Sequence, residues 1–155
     1  MLEFVKYLHP QLIDFFEAQD RDTAIEHLIK LCHQEKKIEA MEPFFTKVRD
    51  REKIVSTGIG MSVALPHAKM PHLKFFVAIG ILSKGVDWQA LDGHPIRLVF
   101  LIGGPDDKQT EYLKILSSIT SLIKDEAIRK KILTSTSPAA MMKIITGVKN
   151  GSKTS

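Results

Sequence analysis

Two apolar segments constrain this chain more than anything else in it. Phe75 to Leu82 and Ile96 to Ile102 carry hydrophobic side chains at nearly every position, not at alternate ones. A strand that is apolar on both sides must be covered on both sides. Each segment is therefore predicted to be a central strand with helices above and below. The surrounding sequence supplies those helices. Asp20-Arg21-Asp22-Thr23 offers capping side chains, and Ile25, Leu28, Ile29 and Cys32 follow at helical spacing, which predicts a helix over 22–34. Ile38 to Val48 is a second helix, starting near Pro43. Asp106 and Asp107 are predicted to cap a third, with Leu113, Leu116, Ile119 and Ile123 on its apolar face. Glu126 to Leu133 forms a fourth, and Ser137-Pro138 opens a fifth with a cap and a first-turn proline.

Shorter features fill the gaps. Residues 3–8 alternate loosely and suggest a short strand. Ser83-Lys84-Gly85 and Asp92-Gly93-His94-Pro95 are expected to be turns, and Gly103-Gly104-Pro105 to stop the second apolar strand. Strands that alternate with helices give an α/β three-layer sandwich, a mixed β-sheet flanked by helices on both faces. At 155 residues the chain is long enough to bury about 70% of its unfolded surface in one core. Residues 1–147 are expected to form that single domain, with 148–155 as a flexible C-terminal tail.

Charge and cysteine content narrow the function classes. The net charge is +4, but lysines and arginines are interspersed with acids, as in Asp50-Arg51-Glu52-Lys53. Even Arg129-Lys130-Lys131 fits a solvated helix face, so nucleic-acid binding is not expected. A weakly basic surface favours acidic protein partners. The apolar runs are far shorter than the ~20 residues a membrane helix needs, and no signal peptide is expected. The one cysteine, Cys32, fits a helix core and a reducing compartment, so the expected location is cytoplasmic. His27 and His33 lie six apart, which does not set two ligands on one helix face. No metal site and no cofactor are expected.

The chemistry concentrates in Ser56-Thr57-Gly58-Ile59-Gly60-Met61-Ser62-Val63-Ala64-Leu65-Pro66-His67. Two hydroxyls and two glycines bend the chain, an apolar run stiffens it, and a histidine follows a proline at the strand's exit. Ala68 to Lys74 then looks like an exposed connection. Gly58-Ile59-Gly60 lacks the third glycine of a dinucleotide loop, and no glycine-lysine pair makes a Walker loop. Gly60-Met61-Ser62-Val63-Ala64 ends in alanine, so it is no nucleophile elbow. A posed histidine can serve as base, ligand or nucleophile. As a nucleophile it can carry a phosphoryl group if one ring nitrogen is free and the other donates to a backbone carbonyl. Arg51, the Thr57 hydroxyl and loop amides near Gly58 are candidate phosphoryl partners.

Arg51-Glu52, Ser56-Thr57-Gly58-Ile59-Gly60 and Ala64-Leu65-Pro66-His67 together resemble the signature of the enzyme IIA domains of fructose and mannitol type. Those domains belong to the bacterial phosphoenolpyruvate-dependent phosphotransferase system, and the stand-alone nitrogen-regulatory IIA proteins are similar. The resemblance runs from about residue 8 to residue 146, through Asp87-Trp88 and Asp92-Gly93-His94-Pro95. It implies that a phosphocarrier such as HPr, or its nitrogen-branch relative, phosphorylates His67 at Nε2, with Arg51, Ser56, Thr57, Gly58 and Tyr112 around the phosphoryl group. It implies no metal and no nucleotide. It also implies a target: a IIB domain in fructose- or mannitol-type uptake, or a sensor kinase or transporter whose activity is regulated. A degenerate binding protein that regulates without transferring is a further alternative. With no IIB or IIC segment in the sequence, the regulatory type is the expectation. Two positions depart from the family pattern. Ser62 stands where glycine is usual, and Tyr112 where a second histidine is usual. Tyrosine donates a hydrogen bond but cannot become a cation. His72 and His94 are weaker candidates.

Overall fold

The computed structural model describes residues Met1–Lys149. One six-stranded mixed sheet organises them. Its strands are β1 (Ile13–Phe16), β2 (Gly58–Gly60), β3 (Val63–Ala64), β4 (His67–Lys69), β5 (Phe76–Val86) and β6 (Ile96–Gly104). The order is β1-β5-β6-β3-β2, and β4 also pairs with β6. β5 and β6 run antiparallel at the centre, β1 runs parallel to β5, β3 and β4 run parallel to β6, and β2 is antiparallel to β3.

Alternation along β5 and β6 divides the core in two. Val77, Ile79, Ile81, Leu98, Phe100 and Ile102 face one layer with Ile115, Ile119, Ile123, Ile132 and Met141. Ala78, Leu82, Val99 and Leu101 face the other with Ile25, Leu28, Ile29, Phe44 and Val48. The first layer is built by α3 (Gln109–Lys124), α4 (Glu126–Thr134) and α5 (Pro138–Thr146), the second by α1 (Arg21–Gln34) and α2 (Met41–Ile54). The three-layer sandwich expected from the two apolar strands is the architecture observed. The Asp20 side chain caps α1 at the Thr23 amide, and Ser137 caps α5 at Ala140.

Several local expectations are corrected. Residues Glu3–Tyr7 form a 3-10 helix that buries Phe4 and Val5, not a strand. α2 runs on to Ile54, so Arg51 and Glu52 lie in its last turn. Residues 83–85 stay in β5, which reaches Val86 with a register shift against β6. Gly103 and Gly104 belong to β6, because the Phe76 and Phe75 rings occupy the space a side chain would need. Lys108, not an aspartate, precedes α3, and no side chain caps it. Leu113 is exposed, since the buried face of α3 is Tyr112, Ile115, Ile119, Leu122 and Ile123. Val148 packs against the core, and residues 150–155 of the expected tail lie outside the described residues.

Candidate functional site

β2 and β3 form a hairpin whose two turn residues, Met61 and Ser62, both take left-handed backbone (φ 59° and 61°). This twist suits a two-residue hairpin but is disfavoured for side chains other than glycine. The Ser62 carbonyl accepts from the Arg97 and Leu98 amides, which locks the hairpin tip onto β6. At Ser62, where glycine is usual in the family pattern, the departure is thus one of backbone conformation at a turn.

β3 and β4 lie on the same edge of β6 in one register: Val63 pairs with Leu98 and His67 with Ile102. Leu65-Pro66 interrupts the ladder, where proline has no N–H to give. His67 is therefore the first residue of a strand instead of the exit from one. Ala68 after it is buried, so the connection begins only at Met70. Alternation turns His67 and Lys69 to the side opposite Ala68.

The orientation of the His67 ring follows from a diverted hydrogen bond. The Leu65 amide donates to the Thr57 carbonyl (3.0 Å), half of the exchange that an antiparallel pair normally makes. The other half is missing, because the Thr57 amide donates to Glu52 Oε2 (3.1 Å). The Leu65 carbonyl instead accepts from His67 Nδ1 (2.8 Å). A carbonyl can only accept, so Nδ1 carries the proton and Nε2 keeps its lone pair. Burial pulls the His67 pKa below its usual value of about 6.5. The Arg51 and Lys69 charges act the same way, against the Leu65 bond and Glu52. The ring stays neutral and nucleophilic at neutral pH.

Glu52 anchors the floor of the loop. It is 4% exposed and accepts from the Thr57 amide, the Thr57 hydroxyl and Trp88 Nε1 (3.2 Å). The Ser56 hydroxyl donates to the Trp88 carbonyl (2.7 Å) and accepts from the Gly58 amide (3.1 Å). The Ser56 and Thr57 hydroxyls and the Gly58 amide, expected around a phosphoryl group, are thus already committed within the protein. Gly58 is required by packing: a Cβ there would lie 2.7 Å from Ala90 Cβ. Glu52 and Trp88 were visible in the sequence only as parts of a motif. Their burial against one another depends on a contact across 36 positions.

The other side of His67 is different. The rings of His67 and Tyr112 lie 5.7 Å apart, and Lys69 Nζ sits 4.3 Å from the Tyr112 centroid. The Tyr112 hydroxyl is buried and has no hydrogen-bond partner among the described residues. Burial pushes this phenol up to about 12, against a smaller pull from Arg51, so it remains a donor. Arg51 Nη1 donates to the Val55 carbonyl (2.8 Å). Neither Arg51 nor Lys69 forms an ion pair among the described residues. The Arg51 charge acts on both His67 and Tyr112. His94 and His72 are exposed on other loops, and His72 lines a separate cleft of about 890 Å³ with His33, Lys36 and Lys37.

A family model described as "Phosphoenolpyruvate-dependent sugar phosphotransferase system, EIIA 2" matches residues 6–148. The chain is 32% identical over 130 residues to the PTS system fructose-specific EIIABC component of Bacillus subtilis. That match covers 83% of this chain and only 20% of that much longer protein. It is 35% identical over 102 residues to the nitrogen regulatory protein of Bradyrhizobium diazoefficiens, covering 65% of this chain and 67% of that one. Among solved structures, nitrogen regulatory protein IIA-Ntr from Neisseria meningitidis superposes with a TM-score of 0.84 at 25% identity. The superposition covers 91% of this chain and 97% of that one. By the extent of the family match, the chain belongs to the EIIA 2 family.

Proposed function

We propose that this member of the EIIA 2 family is a phosphohistidine carrier that accepts a phosphoryl group on Nε2 of His67. The observation that carries this reading is the His67 Nδ1 bond to the Leu65 carbonyl, which leaves Nε2 with its lone pair. The donor is an HPr-like phosphocarrier, itself a phosphohistidine. Its P–N bond breaks as the bond to Nε2 forms, and its ring recovers the electron pair. The Nδ1 proton stays in its bond to the Leu65 carbonyl throughout, so the phosphorylated ring is an imidazolium and departure of the group returns it to neutral. Such a transfer needs positioning and positive charge more than covalent help. Arg51 supplies charge and the unpartnered Tyr112 hydroxyl supplies a donor. Ser56, Thr57 and Gly58 support the site from below, by holding the loop that fixes the Leu65 carbonyl.

For in-line transfer His67 Nε2 must come within about 3 Å of the phosphorus on the donor's imidazole. The 54–61 segment and the 87–91 loop touch at Gly58 and Ala90, and they expose Ile54, Val55, Ile59, Met61 and Leu91. This apolar rim is the face we assign to protein partners. Incubation with phosphoenolpyruvate, enzyme I and HPr is expected to add one acid-labile phosphoryl group. Equal labelling of His67→Ala would sink the assignment.

The onward role is regulatory in our reading, with a sensor kinase or transporter as target. The extent of the structural likeness to a nitrogen regulatory protein supports it. Passage to a IIB domain for sugar uptake is the second reading, favoured by the similarity to a fructose-specific component over 83% of the chain. Affinity capture with the phosphorylated and unphosphorylated protein separates the two. Regulation predicts a partner set that changes with phosphorylation, whereas uptake predicts discharge of the label by a IIB domain. Among the described residues no helix is long and apolar enough to cross a membrane.

A further inference from the structure

We propose that Lys69 is a phosphoryl ligand, the second positive charge that holds the group carried by His67. This rests on the reading of His67 as the acceptor. The placement comes from the backbone. His67 and Lys69 are two residues apart on β4, with Ala68 turned inward between them, so both side chains leave the same face of the strand. They converge on one ring. His67 lies against Tyr112 at 5.7 Å between centroids, and the Lys69 ammonium sits over the same ring at 4.3 Å.

The partners of Lys69 are all neutral. Its Nζ donates to Gln109 Oε1, at the start of α3, and rests on the Tyr112 π-face. No carboxylate pairs with it among the described residues, although the chain has 18 acidic side chains and eight lysine, arginine or histidine ion pairs form elsewhere among those residues. An ammonium held in place by an amide and an aromatic face is oriented but not neutralised. Beside it is a buried hydroxyl with nothing to donate to. A dianionic group on Nε2 answers both needs: it accepts from Tyr112 and neutralises Lys69. Lys69 reaches it by exchanging Gln109 for a phosphoryl oxygen while its stem stays on the ring. The effect of the Lys69 charge on His67, which favours the neutral ring, is in keeping with this proximity.

The test uses phosphoramidate, a small phosphoryl donor that needs no docking surface, alongside the phosphorylated HPr donor. With phosphoramidate the P–N bond breaks, ammonia leaves with the electron pair, and the P–Nε2 bond forms. Lys69→Gln is expected to slow labelling of His67 at least about tenfold with both donors. Lys69→Arg is expected to restore most of it, since guanidinium also binds phosphoryl oxygens. A loss confined to the KM for the protein donor, with phosphoramidate labelling unchanged, overturns the proposal, because Lys69 then only docks the partner. Equal labelling of wild type and Lys69→Gln also overturns it. If wild type itself gains no label on His67, the carrier reading has failed, and this proposal fails with it. A thermal melt of Lys69→Gln that matches wild type shows that slow labelling is not unfolding.

Discussion

The two sides of His67 follow opposite rules. Below the loop, where Glu52, Thr57 and Trp88 are nearly fully buried and Ser56 partly so, the side-chain donors and the Thr57 amide all find acceptors. On the other side, among the described residues, the buried Tyr112 hydroxyl has no partner and neither Arg51 nor Lys69 has an acid. Folded proteins rarely leave buried polar groups unmatched. The matched side is a scaffold, and changing it should cost stability. On the proposed function the unmatched side receives the phosphoryl group, and changing it should cost transfer while sparing the fold.

The sharpest way to break this contrast is at Glu52. Glu52→Ala strands the Thr57 amide and leaves Trp88 Nε1 only the Thr57 hydroxyl at 3.3 Å. We expect a loss of about 3 kcal/mol in urea unfolding, since buried donors without acceptors cost about 1–3 kcal/mol each. A loss below about 1 kcal/mol would mean that the floor is not a scaffold. Tyr112→Phe is the opposite case. It should leave the urea midpoint unchanged or slightly raised, because it deletes an unsatisfied hydroxyl. Phosphorylation of His67 should slow by about tenfold, as expected for one lost transition-state donor. Marked destabilisation would reveal a structural partner for the hydroxyl and erase the distinction between the two sides.

Smaller effects probe the hairpin and the ring. Ser62→Gly relieves a left-handed residue in the β2–β3 turn and should stabilise by about 0.5–1 kcal/mol in the same measurement. No gain would show that the Ser62 conformation is not strained. The last effect is one of pH. The folded-state pKa of His67 is depressed, so between that value and about 6.5 the unfolded chain binds more protons at this residue than the folded one. The stability this contributes is complete above pH 6.5 and is lost as pH falls through the folded value. His67→Gln should therefore lose less stability than wild type on acidification from pH 7 to pH 5, as read by denaturant midpoints. Parallel curves would mean that the ring is not held neutral.

The legible part of this fold was the part encoded by neighbours in sequence. β5 and β6 were visible because apolar residues on both faces leave one solution, and the Asp20 and Ser137 caps because capping needs only three residues. The misses depend on distant contacts. β1 is short and pairs with β5 across more than sixty positions. Gly103 looked like a stop, but it continues β6 beneath the Phe76 ring. Leu113 was placed on the buried face of α3 by spacing alone, and the helix is rotated so that Tyr112 is buried in its place. At the site, the position of His67 and its proximity to Arg51 and Tyr112 followed from the motif. The commitment of the Ser56 and Thr57 hydroxyls did not, because it requires knowing that Glu52 and Trp88 meet beneath them.

The shared register of β3 and β4 along β6 has a consequence for time scales. His67 is paired with Ile102, and the Ile102 amide donates to the Pro66 carbonyl at 3.0 Å. Displacing the His67 backbone would mean peeling β4 from β6 and breaking that bond, so the Ile102 amide should be protected from exchange with solvent. On the proposed function the histidine is a fixed post, and its partners must bring their own phosphoryl geometry to it. Any slow step in a transfer cycle then belongs to the encounter and departure of the partners, or to side chains such as that of Lys69, and not to a loop carrying the imidazole from one to the other.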